Sequence, residues 1–182
     1  MVMKNAISQI KSTKVNANIY IVDHDPGYTS SLKKAIEKPS KYNIAIFTTG
    51  EKFIAHLTSL KFKRNDIHIV FLGYHFTDER KHTLMNGIEI LEATKVVIPD
   101  IEVVMLYSSD ESSYGAYARN SGAYDFVPKT DTIFLRINNI IMRIISEKKL
   151  VRTKQGFMFS TRIFLIYFLI LLFAIVLYHF LS

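Results

Sequence analysis

Five short apolar runs, each followed by a stretch with helical periodicity, most constrain how this 182-residue chain can fold. The runs cover residues 19–22, 44–47, 67–72, 103–106 and 124–127. Apart from His68 and Asp125, the runs are continuously hydrophobic rather than alternating, which is typical of strands covered on both faces in a parallel sheet. The sequence therefore predicts an α/β fold built on a doubly wound, five-stranded parallel sheet.

The clearest helical pattern follows the fifth run. Ile133, Ile137, Ile140 and Ile144 recur every three or four residues and so form one apolar stripe. Residues 1–17 are polar and have no strong period, which predicts an N-terminal arm before a compact domain over 18–149. About 145 residues are enough for one domain with a real core.

The segment 163–181 contains no Asp, Glu, Lys or Arg. Nineteen helical residues cover roughly 28 Å, close to the hydrocarbon thickness of a bilayer. A helix buried in a water-soluble domain would normally keep a polar face, and this segment has none. The sequence predicts a single transmembrane helix over 161–182, whose anchoring side chains include Ile163, Phe164, Phe168, Leu171, Ile175 and Leu181.

A basic stretch precedes this predicted membrane helix and explains much of the net charge of +7. Its members are Lys148, Lys149, Arg152, Lys154 and Arg162. Basic flanks stay on the cytoplasmic side and attract anionic lipid, so we expect a cytoplasmic domain and a basic juxtamembrane linker over 150–160. Gly156 is the expected break between the fifth helix and the membrane helix, with one continuous helix as the alternative. The sequence contains no patch of basic and aromatic residues of the kind that indicates nucleic-acid binding.

Polar residues and one glycine follow the predicted strands, where sites form in open parallel sheets. They are Asp23, His24, Gly73, Tyr107, Ser108 and Lys129. Taken alone, these side chains also fit an ordinary solvated rim. The absence of cysteine excludes disulfides and Cys-ligated metals.

Four segments, IYIVDHDPGY, FTTGEKFIAHL, HIVFLGYHF and GAYDFVPK, together resemble the response-regulator receiver domain of two-component signalling. The resemblance covers roughly residues 18–147 and implies the sheet order 2-1-3-4-5. In that family two acidic residues after the first strand and an aspartate after the third hold magnesium, and the latter aspartate accepts a phosphoryl group. A Ser or Thr after the fourth strand and a Lys after the fifth bind the phosphoryl oxygens.

Only part of that set is present at the matching positions. Asp23 matches the first acid, and Lys129 matches the lysine. His24 stands where the second acid belongs. Tyr107 stands where the Ser or Thr belongs, with Ser108 beside it. Gly73 stands at the acceptor aspartate and has no side-chain oxygen to attack phosphorus or to bind a cation. We therefore expect no enzyme activity, no cofactor and no metal, although Asp23 and Asp25 leave a weak cation site open.

The substitutions also suggest a permanently set switch. If the Tyr107 ring turns inward, it fills the space that Gly73 vacates, and Lys129 then pairs with Asp23 or with the Tyr107 hydroxyl. The alternative is that Tyr107 points outward and Lys129 is an ordinary surface charge.

Two functions remain open. The first is a non-catalytic, membrane-anchored pseudo-receiver that docks to a membrane protein complex or signalling partner, independently of aspartyl phosphorylation. The second is a phosphorylation-independent sensor that binds a proton, a cation or a small ligand at the altered rim. Expected partner contacts are Tyr114, Tyr117, Tyr124 and Phe126. The apolar tail, its basic flank and the resemblance together predict a single-pass protein of a bacterial inner membrane, in contact with the lipid bilayer. We expect the receiver-like domain to be cytoplasmic and the C-terminus to lie at the opposite face, and the sequence leaves the oligomeric state undetermined.

Overall fold

The computed structural model describes residues 17–37, 39–62, 66–76, 85–108 and 114–181. Within the last range, the description leaves out the side chains of residues 155–160, 162, 171–174, 176 and 179–180. The predicted N-terminal arm lies outside these ranges except for Ala17, which begins the first strand. The chain divides into two compact units, Met1–Ile144 and Ile145–Ser182.

Strands and helices alternate along the first unit. The strands are β1 (Ala17–Val22), β2 (Tyr42–Phe47), β3 (His68–Gly73), β4 (Glu102–Tyr107) and β5 (Asp125–Pro128). The helices are α1 (Pro26–Ala35), α2 (Gly50–Ser59), α3 (Gly87–Val97), α4 (Gly115–Asn120) and α5 (Thr132–Leu181), and a short 3-10 helix covers Pro39–Lys41. Each of the five predicted apolar runs lies on or within two residues of a strand, so the predicted strands are confirmed.

All five strands run parallel in the order β2-β1-β3-β4-β5. The order 2-1-3-4-5 expected from the receiver resemblance is therefore confirmed. β3 lies in the middle of the sheet, between β1 and β4, and all six of its residues are buried. This explains its mainly apolar sequence, because a central parallel strand is covered on both faces.

Local sequence signals fix where the helices begin. Asp25 accepts hydrogen bonds from the backbone N–H groups of Gly27 and Tyr28 and so caps α1, with Pro26 at the first helical position. The Asn86 side chain and the Glu89 side chain form a reciprocal capping box at the start of α3. These caps place the helix beginnings beside the carboxyl ends of the strands.

Two hydrophobic layers cover the sheet. One layer joins Tyr20 and Val22 of β1 to Phe53 and Leu57 of α2, and α3 and α4 pack on the same face. Residues at alternate positions point to the opposite face, where Ile19 is fully buried. The isoleucine stripe predicted for α5 is buried throughout, at Ile133, Ile137, Ile140 and Ile144.

Helix α5 runs without interruption from Thr132 to Leu181, so the break expected at Gly156 is wrong and the alternative is observed. A single glycine costs a helix only about 1 kcal/mol relative to alanine, which a helix of this length tolerates. Residues 150–160, the predicted basic juxtamembrane linker, are helical. Within the described residues, no helix is both long and apolar enough to cross a bilayer.

The anchoring side chains predicted for the second unit are exposed where they are described. They are Ile163, Phe164, Phe168, Ile175 and Leu181. The side chain of Leu171 lies outside the description. The membrane helix over 161–182 stays a prediction from the sequence.

Candidate functional site

The parallel sheet brings four of the predicted site positions to its carboxyl edge. Asp23 follows β1 directly, Gly73 ends β3, Tyr107 ends β4 and Lys129 follows β5. Gly73 pairs in register with Leu106, and Tyr107 pairs with Pro128. The Lys129 backbone N–H donates to the Tyr107 carbonyl oxygen at 2.7 Å, which continues the β4–β5 pairing by one residue.

Asp23 is fully buried, and a cation lies against its carboxylate. Lys129 Nζ is 2.6 Å from Asp23 Oδ2, and the lysine side chain is only 15% exposed. The other oxygen, Oδ1, accepts a hydrogen bond from the Asp25 backbone N–H at 3.0 Å. A buried carboxylate without a partner is costly, so this ion pair accounts for how Asp23 is accommodated.

The ion pair occupies the space in which an acceptor side chain at position 73 would begin. A Cβ built on Gly73 would overlap Asp23 Oδ2, would lie 3.0 Å from Asp23 Cγ and would lie 3.4 Å from Lys129 Nζ. No side chain fits there unless this pair moves. Of the two partners expected for Lys129, the structure places Asp23 beside it.

The residues present do not fit the magnesium ion that the receiver resemblance implies. Magnesium is held by near-octahedral oxygen ligands and usually by one or two carboxylates. Here Oδ2 of Asp23 faces an ammonium group, Oδ1 accepts a backbone hydrogen bond, and Gly73 supplies no carboxylate. Among the described residues, no cluster of three or more His, Cys, Asp or Glu side chains is arranged to hold a metal.

His24 lies between Asp23 and the carbonyl oxygen of His75, whereas Asp25 caps a helix. Nδ1 of His24 lies 2.8 Å from the His75 carbonyl oxygen and 3.4 Å from Asp23 Oδ1, and the ring is about half exposed. The exposed Asp25 carboxylate accepts hydrogen bonds from Tyr28 and Gly27, which lower its pKa below the ordinary value. Asp25 is therefore used as a helix cap.

Tyr107 takes a different position from the one expected. Its ring stacks on Phe126 with centroids 4.1 Å apart and an interplanar angle of 4°, whereas the atoms nearest to a Cβ at Gly73 belong to Asp23 and Lys129. The expectation that Tyr107 fills the space beside Gly73 is thus wrong, because the Lys129–Asp23 ion pair already fills that space. Ser108 is exposed and follows the strand.

The stack belongs to a larger group of rings beside α4. The Tyr74 ring stacks on Tyr114 at 5.2 Å and meets Phe126 edge-on at 6.5 Å. Gly115 lies directly against the Phe126 ring, where a Cβ would come within 2.9 Å of a ring carbon. Aromatic pairs of this kind add about 0.5–1.5 kcal/mol each beyond the area they bury. We call Tyr74, Tyr107, Tyr114 and Phe126 the aromatic cluster.

The four predicted contact residues differ in exposure. Tyr114 is 48% exposed and Tyr117 is 56% exposed, so both present ring surface to solvent. Tyr124 is half-buried, and its hydroxyl accepts a hydrogen bond from Arg143 Nε at 3.0 Å. Phe126 is buried in the aromatic cluster and presents little surface, so its contact with a partner stays a prediction.

Tyr28 is a site residue that the sequence did not reveal. Lys129 Nζ lies 5.3 Å from the centroid of its ring, and its hydroxyl oxygen is buried. Burial, and to a smaller extent the charge of Asp23, raises the pKa of Tyr28, so the hydroxyl stays neutral. Its position in the first turn of α1, next to the edge residues, was the available signal.

Similarity to known proteins supports the same fold. No protein-family model matches the chain. The putative two-component response regulator ARR19 of Arabidopsis thaliana is 31% identical over 117 residues, 63% of this chain. That match covers 25% of the plant protein, so the chain corresponds to about a quarter of the length of this relative.

Solved structures extend the comparison. A response regulator receiver domain protein (CheY-like) from Methanospirillum hungatei JF-1 has a TM-score of 0.60 at 20% identity, over 73% of this chain and 96% of the other. NtrX from Brucella abortus in complex with ADP has a TM-score of 0.63 at 20% identity, over 76% of this chain and 29% of the other. The chain therefore has the fold of a response-regulator receiver domain.

Proposed function

We propose that this chain is a degenerate member of the receiver family that works as a non-catalytic docking or regulatory subunit of a membrane-associated complex. It does so without phosphorylation of an aspartate. The observation that carries the proposal is the buried Lys129–Asp23 pair against Gly73. With no carboxylate at position 73, phosphoaspartate has no place to form, and the lysine that would bind phosphoryl oxygens is already neutralised.

The aromatic cluster supports a fixed rather than a switchable output surface. The Tyr107 and Phe126 rings lie flat against each other, and Tyr74 bridges Phe126 to Tyr114 just before α4. Rotating Phe126 outward would break the stack and expose a large apolar ring to water. The surface around α4 is thus held in one arrangement without a phosphoryl group.

Tyr114 and Tyr117 are the proposed contact residues. Both are exposed near α4, and tyrosine is enriched where proteins contact each other because its ring is large and its hydroxyl is polar. The partner is a protein of the same membrane. A tyrosine side chain carries an apolar ring and a polar hydroxyl on one rigid group, so ordering it at an interface costs little conformational entropy.

The docking proposal is tested by purifying the full chain from its native membranes in a mild neutral detergent, with and without acetyl phosphate and magnesium. We expect a stoichiometric membrane protein to remain bound under both conditions and to be lost from a Tyr114→Ser, Tyr117→Ser double variant. Val96→Ser is the matched control, because Val96 is 83% exposed on α3. A partner retained only after phosphoryl donor treatment contradicts the proposal, and a lone protein with a bound small ligand favours the sensor.

The membrane part of the proposal rests on the sequence 163–181, which has no charged side chain. Arginine near the middle of a membrane helix costs about 2.5–3.5 kcal/mol. A Phe168→Arg, Ile175→Arg variant should therefore leave the membrane fraction in a flotation gradient. The control is Leu135→Arg, since Leu135 is 80% exposed on α5 but lies outside this segment. If the wild-type chain fails to float with lipid, the anchor is absent.

A further inference from the structure

A buried histidine lies at the opposite end of the sheet from the receiver-like site. His68 is the first residue of β3, whose last residue is Gly73. His68 is only 7% exposed, and it pairs in register with Asn18 of β1. A histidine in an otherwise apolar central strand needs a physical reason, because a buried polar group is costly unless it is hydrogen-bonded.

Only one of the two ring nitrogens of His68 is satisfied among the described residues. Nδ1 lies 3.1 Å from the hydroxyl oxygen of Tyr20 on β1. Nε2 is buried and has no hydrogen-bond partner in the described part of the chain. The Phe62 ring meets the imidazole edge-on, with centroids 5.2 Å apart. The imidazole is thus held between a tyrosine hydroxyl and apolar surroundings.

The contact with Tyr20 restricts the protonation of the ring. Burial raises the pKa of Tyr20 to about 12, so its hydroxyl keeps its proton and can donate it to Nδ1. The neutral imidazole then carries its own proton on Nε2. Adding a second proton would turn the acceptor Nδ1 into a donor facing the tyrosine oxygen, and it would place a positive charge in an apolar layer.

The groups that surround His68 offer little to stabilise that charge. On α2, His56 packs against the other side of Tyr20 at 6.0 Å between ring centroids. On β1, Asn18 already accepts a hydrogen bond from Asn43. Glu102 begins β4, but its register partner is Ile69, so its side chain lies on the other face of the sheet. Asp66, just before β3, is the acidic residue whose charge favours the protonated ring.

We propose that His68 is a proton-sensitive point at the amino edge of the sheet, separate from the receiver-like site. When its ring binds a proton in a mildly acidic medium, the Tyr20–His68 contact that joins β1 to β3 is weakened and the first unit becomes less stable.

The direction of the effect follows from proton linkage. Burial lowers the pKa of His68 below the ordinary value of 6.5, and Asp66 offsets part of that shift. The unfolded chain therefore binds this proton more readily than the folded chain does. The contribution of the neutral His68 ring to stability is fully present above about pH 6.5. It is lost as the pH drops toward the pKa that His68 has in the folded chain. Within that window the unfolding equilibrium constant rises by up to about tenfold per pH unit.

The test is thermal or urea unfolding of the full chain in neutral detergent between pH 7.5 and 5, for the wild type and for His68→Gln. Glutamine keeps an acceptor for the Tyr20 hydroxyl but does not titrate, so we expect its stability to vary less with pH. His56→Gln is the control and should keep the wild-type dependence. Equal pH dependence in the wild type and in His68→Gln overturns the proposal.

A second readout covers the case in which His68→Gln does not fold. Histidine ring resonances of the wild-type chain are followed by NMR against pH. We expect one ring, which contacts Tyr20, to hold its proton on Nε2 at pH 7.5 and to titrate below 6.5. A His68 ring that titrates at or above the ordinary value, or that carries its proton on Nδ1, contradicts the proposal.

Discussion

The two edges of the sheet treat a buried ionisable side chain in opposite ways. At the carboxyl edge, the fully buried Asp23 has an ammonium group 2.6 Å from one oxygen and a backbone donor on the other. At the amino edge, the buried His68 has a partner for one nitrogen only, within the described residues. The edge that resembles a reaction site therefore has its buried charge paired, while the opposite edge holds a histidine whose burial lowers its pKa below the ordinary value.

The comparison teaches that losing a reactive carboxylate does not leave an empty pocket. Once position 73 has no side chain, Lys129 and Asp23 meet in the space beside it and neutralise each other. Under the proposed function, two residues that the resemblance assigns to phosphoryl chemistry have a structural role instead. Variants at the two edges test whether they differ in this way.

The largest expected effect comes from removing the cation at the carboxyl edge. Lys129→Met leaves the Asp23 carboxylate buried without its partner and should lower the free energy of unfolding by about 3–5 kcal/mol. Urea unfolding of the full chain measures it. Lys52→Met, on the exposed surface of α2, should change stability by no more than about 0.5 kcal/mol. If the Lys129→Met and Lys52→Met variants are equally stable, the Lys129–Asp23 ion pair does not stabilise the carboxyl edge of the sheet.

A smaller effect is expected from adding one methyl group at position 73. Gly73→Ala places a Cβ against Asp23 and should cost about 1–3 kcal/mol, because neither the strand nor the ion pair has room to move freely. In an Asp23→Ala background the same change should cost clearly less. A cost that is unchanged in that background would show that the strain at Gly73 does not come from the Asp23 carboxylate.

The smallest effect is expected at the amino edge. Tyr20→Phe keeps the ring, whose centroid lies 5.5 Å from that of Phe53, but removes the hydroxyl that is hydrogen-bonded to His68. At pH 7.5 it should cost about 1 kcal/mol, the usual net contribution of one hydrogen bond. Chemical unfolding at that pH provides the measurement. No loss of stability would mean that the hydroxyl does not support the imidazole.

Most of the fold could be predicted from the sequence because burial on both faces produces a direct signal. The isoleucine stripe of α5 and the buried strand β3, apart from its end residues His68 and Gly73, are examples in which hydrophobicity follows geometry. The expected break at Gly156 failed for a physical reason, since glycine weakens a helix only slightly and the flanking residues favour it. A glycine without a following proline is a weak stop signal.

The candidate site was predicted less completely, because its partners are distant in the sequence. The alignment of Asp23, Gly73 and Lys129 on one edge followed from the strand order. The choice of partner for Lys129, the stacking of Tyr107 on Phe126 and the ring of Tyr28 beneath Lys129 depend on side-chain packing. His68 stood out only as one polar residue in an apolar run, and its pairing with Tyr20 required the β1–β3 register.

The most direct test of the central claim is treatment of the full chain with acetyl phosphate or beryllofluoride in the presence of magnesium. Intact mass spectrometry should show no phosphoryl adduct. Tyrosine fluorescence and the melting temperature should not change, because Gly73 offers no acceptor and Lys129 is held by Asp23. A magnesium-dependent adduct on an aspartate, or a rise in melting temperature that disappears in Asp23→Asn, would contradict the account.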